Sequence, residues 1–227
     1  MYETGQLHLS GIVATQQIGT SGRTLLLNGP AAAGKTSLAK ALQDGLEEPY
    51  FRWGLDSFFA MVPHRWAGGP RGALRQEGIF YEGDVGEGES RRVTGIGYGA
   101  IGRQMLLGMH RAFSAFATAG NNQIIDGLLW DKALLSDFVE VFVDLEVIVV
   151  GVFCSETVLV QREIERGGPY GLALGQGEKV HDGYQYDVTV DTSTCTPLEC
   201  SRIVTDYLAS GRQPRALQHM HGELVKQ

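Results

Sequence analysis

The sequence predicts an α/β domain built around a parallel β-sheet, and three observations support that prediction. Short apolar segments alternate with segments whose apolar residues recur at helical spacing, which is the order of repeated β–α units. The segment Glu146–Phe153 is apolar and β-branched with little alternation, as expected of a parallel strand covered on both faces. A glycine-bounded loop joins the first predicted strand to the first predicted helix.

The size and composition of the chain indicate one folded domain. Of its 227 residues, 43% are hydrophobic and 20% are charged, so a packed core is expected and global disorder is not. The sequence shows no internal repeat and no interdomain linker. We therefore assign residues 24–210 to a single domain, with a Gly/Thr/Ser/Gln-rich N-terminal extension at 1–23 and a polar C-terminal tail at 211–227.

In the first half of the chain, Thr24–Asn28 predicts a buried strand, and the helix that starts at Lys35 has leucines at helical spacing. Tyr50–Trp53 predicts the second strand. Residues 67–99 are rich in glycine and acidic side chains, which indicates an insertion with a short hairpin.

The second half continues the alternation. The predicted elements are helix Ile101–Thr118, strand Gln123–Asp126, strand Glu146–Phe153, a helix capped by Ser155 that ends at Arg166, a short helical segment Glu178–Gly183, strand Tyr186–Val190 and helix Leu198–Ala209. Residues 166–177 contain five glycines and one proline, so this segment predicts a hinged lid.

Charge and hydropathy exclude several classes of protein. A formal net charge of -7 argues against a nucleic-acid partner bound through a basic face. No apolar segment reaches the length of a membrane-spanning helix, and the N-terminal residues lack the pattern of a secretory signal. The three cysteines are odd in number and favour reduced thiols. We expect a cytoplasmic protein without a membrane or nucleic-acid partner.

The loop between the first strand and the first helix has the spacing of a phosphate-binding loop. Residues 29–36 read Gly-Pro-Ala-Ala-Ala-Gly-Lys-Thr, with glycines that let backbone N–H groups point at oxyanions and a helix N-terminus that adds positive dipole charge. Lys35 supplies a cation for the β- and γ-phosphates of a nucleotide, and the Thr36 hydroxyl is placed to ligate Mg²⁺. The predicted nucleotide-binding residues here are Gly29, Ala32, Ala33, Gly34, Lys35, Thr36 and Ser37. The alternative is a glycine turn that merely joins strand to helix.

A second oxygen ligand for Mg²⁺ is predicted at Asp126. It ends the strand Gln123–Asp126, where an acidic residue supports the metal or its waters in phosphoryl-transfer folds. An aspartate that ends a strand also caps loops, which is the alternative.

The sequence favours phosphoryl transfer over a guanine-nucleotide switch. Neither an Asn/Thr-Lys-x-Asp motif nor an Asp-x-x-Gly motif occurs in the chain. Asp56 is the sole carboxylate in the aromatic-rich segment 51–66 and is a candidate base for an alcohol proton. Capping of the following helix is its alternative role. The candidate acceptor wall around it consists of Trp53, Phe58 and Phe59.

Arg162 and Arg166 are candidate cations for the migrating phosphoryl group. They lie four residues apart on one predicted helix face, where like charges repel unless an anion lies near. The glycine-rich segment after them is a natural hinge for a lid that excludes water. The alternative is that Glu163 and Glu165 pair with them.

These motifs together resemble the chloramphenicol phosphotransferase family of phosphate-loop kinases. The resemblance spans about Leu25 to Ala209 and includes LLLNGPAAAGKTSLAKALQ, WGLDSF, IIDG, VGVFCSETVLVQREIERG and VHDGYQYDVTVDTST. The phosphate loop alone is unspecific, whereas the GLDS and HDGYQYDVTVDTS segments are much more specific.

The resemblance implies a nucleoside-monophosphate-kinase-like fold with a lid and a five-stranded sheet of order 2-3-1-4-5. It also implies ATP and Mg²⁺ as cofactors, Asp56 as the base, and Arg162 and Arg166 as arginines before the lid. Adenine would lie near Thr192, Ser193 and Thr194, and Trp130 would border the acceptor pocket.

The activity implied is ATP-dependent phosphorylation of a hydroxyl on a small molecule, chloramphenicol or a related antibiotic, which would confer resistance. A kinase of a nucleoside, sugar or other metabolite is the alternative, as is a nucleotide-binding regulator without acceptor chemistry.

Overall fold

A computed structural model of the chain describes residues 20–67, 72–84, 92–127, 129–167 and 170–226. Most of the predicted N-terminal extension, at residues 1–19, lies outside the described residues. The same holds for residues 68–71 and 85–91 of the predicted insertion and for residues 168–169 of the predicted lid.

Five parallel strands form the central sheet, and a separate antiparallel hairpin lies beside it. In chain order the strands are β1 Thr24–Asn28, β2 Tyr50–Gly54, β3 Ile79–Asp84, β4 Arg92–Tyr98, β5 Asn122–Asp126, β6 Val147–Phe153 and β7 Val188–Asp191. The sheet order is β2-β5-β1-β6-β7, and β3 and β4 form the hairpin. With the hairpin set aside, this is the predicted order 2-3-1-4-5, which is confirmed.

The helices cover both faces of the sheet. They are α1 Lys35–Gly45, α2 Leu55–Phe59, α3 Ala100–Thr118, α4 Lys132–Phe142, α5 Glu156–Arg166, α6 Leu172–Gln176, α7 Pro197–Ala209 and α8 Ala216–Leu224, with 3₁₀ turns at His64–Trp66 and Glu178–His181. Among these described helices, none is both long enough and apolar enough to cross a membrane.

The strand side chains divide the core into two layers. Successive residues of a strand point to opposite faces. Leu26 of β1 therefore packs in the layer formed with α3, α4 and α8, whereas Leu25 and Leu27 pack in the layer formed with α1 and α7. Every residue of β1 is buried, which fits its central position and its continuous apolar sequence. The phosphate loop starts where this strand ends, so its origin lies at the centre of the sheet edge.

The predicted insertion at 67–99 contains the hairpin β3–β4, and the hairpin supports the predicted lid. Helix α6 packs on β4. A side chain at Gly175 would overlap the carbonyl oxygen of Thr94, so only glycine permits this close approach. Tyr170, at the start of the lid segment, pairs with Arg92 of β4 through a backbone bridge. The insertion and the lid segment therefore form one wall.

The predicted C-terminal tail is corrected by the structure, since residues 216–224 form helix α8. Leu217 and Met220 are buried in the core layer that contains α4, because their spacing places both on one helix face. Asp187 Oδ1 accepts hydrogen bonds from the backbone N–H groups of Arg215 (2.7 Å) and Ala216 (2.9 Å), which fixes the start of the helix. The polar residues of this segment lie on the other side of α8. Because they are abundant, the apolar face of this helix was not recognised in the sequence.

We expect Leu217→Ala to destabilise the domain by about 2–5 kcal/mol, because it removes a fully buried leucine and leaves a cavity. Chemical denaturation measures the free energy of unfolding. Val225→Ala, at a residue with 73% of its surface exposed, is the control and should change it by no more than about 0.5 kcal/mol. An equally small effect at Leu217 would show that α8 is not part of the cooperative core.

Candidate active site

The phosphate-binding loop joins β1 to α1 and has the backbone conformation that anion binding requires. Gly34, the N-cap of α1, has a φ of 89°, in the left-handed region that favours glycine. A side chain at Gly29 would overlap the carbonyl oxygen of Val152 in β6. Ala32 has a φ of 60° although it is not glycine, so its backbone must be held by its neighbours.

Arg162 and Thr192 hold that loop from outside the cleft. Arg162 Nη1 donates to Ala32 O (3.3 Å) and to Thr192 Oγ1 (3.0 Å), and Nη2 donates to Thr192 O (2.8 Å). Thr192 Oγ1 in turn donates to Ala33 O at 2.7 Å. The guanidinium of Arg162 thus lies against the phosphate loop and is bonded to these backbone and hydroxyl acceptors.

Lys35 is folded over the loop. Its Nζ donates to Gly29 O (2.8 Å) and to Pro30 O (2.9 Å). Burial lowers the pKa of Lys35, Asp126 and Asp56 raise it through their charges, and Arg166 lowers it. These charge effects show that two carboxylates and a second cation lie near the ammonium group.

Thr36 and Asp126, the two residues predicted to ligate Mg²⁺, lie side by side. Thr36 Oγ1 donates a hydrogen bond to Asp126 Oδ2 at 2.5 Å. Among the described residues no group of three or more His, Cys, Asp or Glu side chains gathers to hold a metal. A hydroxyl and one carboxylate fit Mg²⁺, which prefers oxygen ligands and takes the rest from phosphates and water.

A cleft of about 210 Å³ runs between the phosphate loop and the hairpin. Its lining includes the charged residues Lys35, Asp56 and Arg166. It also includes apolar and aromatic residues from α2, the hairpin and α6, namely Phe59, Tyr81, Ile96 and Leu172. Asp56 thus faces the same space as the phosphate-binding lysine.

A neighbouring apolar pocket of about 150 Å³ extends the cleft toward the hairpin. The two cavities share Phe59, Tyr81 and Ile96, and the extension adds Val62 and Phe80. A molecule whose hydroxyl reaches Asp56 would place its apolar body against this wall.

The predicted aromatic wall is only partly present. Phe59 lines the cleft, whereas Trp53, Phe58 and Trp130 lie outside its lining. Trp53 Nε1 donates to Gln123 Oε1 (2.7 Å), and its ring packs on Phe113.

Phe58 also packs on Phe113, and it lines a separate apolar groove with Met61 and Trp66. Trp130 packs on Tyr98 and lines a cavity beside α8. The number of aromatic residues close to Asp56 in the sequence therefore did not indicate which of their rings line the cleft.

The residues after β7 form local hydrogen bonds next to the loop. Ser193 Oγ accepts from Ser155 N (2.6 Å), and Thr194 Oγ1 donates to Asp191 O (3.4 Å). Thr192 Oγ1 donates to Ala33 O, and Thr192 is not part of the cleft lining that contains Asp56. This arrangement leaves Ser193 and Thr194 outside the cleft lining.

Glu163 does not pair with the arginines. Its carboxylate is 6% exposed and accepts hydrogen bonds from Gly171 N (2.7 Å) and Ala173 N (2.5 Å) at the start of α6. Glu165, in contrast, accepts from Gln161 Nε2 (2.9 Å) on the outer face of α5. Glu163 therefore anchors the lid segment to the helix that carries Arg166.

Sequence reasoning missed seven cleft residues: Ala31, Leu55, Tyr81, Ile96, Gly127, Leu172 and Gln176. The hairpin lies far from the phosphate loop in sequence, and no motif indicates which of its residues face the cleft. Gln176 carried a weak signal, since it is a long polar side chain within the glycine-rich segment.

Comparison with known proteins agrees with this fold. A family profile described as chloramphenicol phosphotransferase-like protein matches residues 22–209. A Mycobacterium tuberculosis protein named "Putative O-phosphotransferase Rv2636" is 33% identical over 178 residues, which are 78% of this chain and 77% of that protein.

Solved structures share the fold at low sequence identity. Mycobacterium tuberculosis APS kinase CysC in complex with AMPPNP and APS has a TM-score of 0.56 at 12% identity, covering 84% of this chain and 99% of that chain. Shikimate kinase from Acinetobacter baumannii in complex with shikimate has a TM-score of 0.50 at 13% identity, covering 84% and 95%. The fold is that of phosphate-loop kinases.

We expect Glu163→Gln to loosen the start of α6, because an amide accepts with one atom and turns an N–H group toward the other backbone donor. A buried unsatisfied donor costs about 1–3 kcal/mol, so the amides of Gly171 and Ala173 should exchange about 10- to 100-fold faster. Hydrogen–deuterium exchange of these amides measures the effect.

Glu165→Gln is the matched control and should leave those exchange rates unchanged, since Glu165 bonds to Gln161 on the outer face of α5. Unchanged protection in Glu163→Gln would contradict the anchoring role.

Proposed function

The chain belongs to the chloramphenicol phosphotransferase-like family, and from that premise we propose that it transfers the γ-phosphoryl group of ATP to a hydroxyl of a small, largely apolar molecule. The observation that carries this proposal is the shared cleft. Asp56, Lys35 and Arg166 line one space between the phosphate loop and an apolar wall. A phosphate-loop phosphotransferase needs that combination of base, cations and acceptor space.

In the proposed reaction, the acceptor oxygen forms a bond to the γ-phosphorus while the bond from that phosphorus to the β-phosphate oxygen breaks. Asp56 takes the hydroxyl proton, and the products are the phosphate monoester and ADP. Lys35 and Arg166 neutralise charge on the migrating group. Mg²⁺, when bound, would supply further positive charge, and Thr36 and Asp126 are the residues that would hold it.

The apolar extension of the cleft favours an uncharged acceptor. Its shared wall of Phe59, Tyr81 and Ile96 offers aromatic and aliphatic surface. A phosphorylated acceptor would require several cations there. We propose chloramphenicol or a related antibiotic alcohol as the acceptor, so that the reaction detoxifies it in the cytoplasm.

We also propose that adenine lies near Thr192, Ser193 and Thr194. Thr192 is hydrogen-bonded to Ala33 of the loop and lies outside the lining of the cleft that contains Asp56. A nucleotide whose phosphates lie along the loop and whose γ-phosphate faces Asp56 would extend its base away from Asp56, toward Thr192. In this arrangement Arg162 acts as a brace of the loop.

An acceptor panel tests the proposed function. Purified protein with ATP and Mg²⁺ is assayed for ADP release with chloramphenicol, other phenylpropanoid amide alcohols, nucleosides and sugars, and products are identified by the added phosphate mass. Stimulation by phenylpropanoid amide alcohols is expected. Stimulation by metabolites alone would move the acceptor to another class, and slow hydrolysis without acceptor dependence would indicate a nucleotide-binding regulator.

We expect Asp56→Asn to lower turnover with the acceptor found in the panel by about 10²–10⁴-fold, the usual contribution of a general base. Affinity for the nucleotide should survive, because Asp56 faces the acceptor side of the cleft. Steady-state kinetics and direct nucleotide titration separate these effects. Asp44→Asn, at an exposed residue of α1, is the matched control. Turnover of Asp56→Asn close to that of the control would remove Asp56 from the role of base.

A further inference from the structure

Gln176, the last residue of α6, connects the lid segment to the phosphate loop. Its Oε1 accepts a hydrogen bond from Ala31 N at 2.8 Å, and the side chain lines the same cleft as Lys35 and Asp56. The residue is 4% exposed. The loop donor fixes the orientation of the amide, because a flipped amide would turn its own N–H groups toward a backbone N–H group.

The other end of this amide has no partner within the part of the chain that the structure describes. Gln176 Nε2 is buried and makes no hydrogen bond there. A buried donor without an acceptor costs about 1–3 kcal/mol, so buried amides of native proteins nearly always find an oxygen. An oxygen brought by a ligand in the cleft would relieve that cost.

The position of Gln176 in the cleft indicates which oxygen of a bound nucleotide would lie near its amide. Under the proposed function, the N-terminus of α1 from Gly34 to Thr36 would hold phosphate, as helix N-termini do. The γ-phosphoryl group would then lie between that helix end and Asp56 to reach the acceptor. Ala31 and Gln176 line the same cleft as Lys35 and Asp56, so an oxygen of that group is the ligand atom closest at hand.

The amide is also held in place before a nucleotide binds. Glu163 anchors the first residues of α6 through Gly171 N and Ala173 N. The approach of Gly175 to Thr94 seats the same helix on the hairpin. A donor fixed in this way loses little freedom when an anion arrives, which strengthens its contribution to binding.

We propose that Gln176 Nε2 donates a hydrogen bond to a γ-phosphoryl oxygen of bound ATP. Gln176 then contacts the loop through its Oε1, which accepts from Ala31 N, and contacts the nucleotide through its amide N–H. It is a nucleotide contact supplied by the lid segment in addition to Arg166. The proposal rests on the proposed function, because it takes ATP as the bound nucleotide.

Binding of AMPPNP and of ADP, measured by calorimetry with Mg²⁺, tests the proposal without any acceptor. The two nucleotides differ at the γ-phosphate, so their affinity ratio isolates contacts to that group. Gln176→Glu keeps an oxygen for Ala31 N and replaces the donor by a second acceptor oxygen. Gln176→Met keeps the chain length and removes both polar atoms.

In both variants we expect the preference for AMPPNP over ADP to fall by about 10- to 100-fold, the contribution of a hydrogen bond to a charged group. Gln161→Met is the matched control, at an exposed residue of α5, and should leave the ratio unchanged. Far-ultraviolet circular dichroism and thermal melting show that each variant is folded, and either variant alone suffices for the test.

An equal loss of affinity for both nucleotides, or no loss of affinity for either, would overturn the proposal. Gln176 would then only stabilise the loop. Failure of the unaltered protein to bind AMPPNP would overturn both this proposal and the proposed function. A preserved Gln176 effect with no phosphorylated product from the acceptor panel would overturn the acceptor chemistry and keep the nucleotide contact.

Discussion

The backbone of the phosphate loop is the constraint on which the rest of the site depends. Ala32 has a left-handed conformation that a residue with a Cβ adopts at a cost of order 1–3 kcal/mol. Arg162 and Thr192 stabilise this conformation by donating hydrogen bonds to the carbonyl oxygens of Ala32 and Ala33, respectively. Ala31 N donates to Gln176 Oε1, so a side chain from α6 holds the loop as well. The loop is therefore shaped before a nucleotide arrives.

Charged side chains of both signs lie close together around this loop. Lys35 is buried, and burial lowers its pKa, while Asp126 and Asp56 counteract that effect through their charges. His181 lies on the far side of the same region, and burial, together with the charge of Lys35, lowers its pKa. His181 Nδ1 lies 2.6 Å from the Tyr186 hydroxyl, which also accepts from Asn28 at the end of β1. The cations in the described lining of the cleft are Lys35 and Arg166.

The acceptor side is built from segments that are remote from the loop in sequence. The hairpin β3–β4 supplies Tyr81 and Ile96, and α6 supplies Leu172 and Gln176. These two segments pack on each other through Gly175, and Glu163 ties them to α5. Movement of the lid segment would therefore be coupled to the hairpin wall and to the helix that carries Arg166. Under the proposed function, such coupling would link closure over the nucleotide to the shape of the acceptor pocket.

The sequence by itself predicted the five strands of the sheet, the helices α1, α3, α5 and α7, and the phosphate loop. It also placed Asp126 and Asp56 at or just after the ends of strands. Each of these follows from a local pattern: the apolar periodicity of β1 and α1, the Gly-x4-Gly-Lys-Thr spacing, or the position of an aspartate where a strand ends. The resemblance to a known family gave the sheet order, which the structure confirms.

Only the tertiary structure decided which aromatic side chains reach the cleft, that Arg162 braces the loop, that Glu163 anchors α6, and that residues 216–224 complete the core. Local patterns report the backbone conformation and the buried face of a single element. The neighbours of Trp53, Arg162 or Leu217 are instead set by elements distant in sequence. The position of each of these side chains depends on which long-range contacts are the most favourable. The spacing of residues within one segment does not indicate which contacts those are.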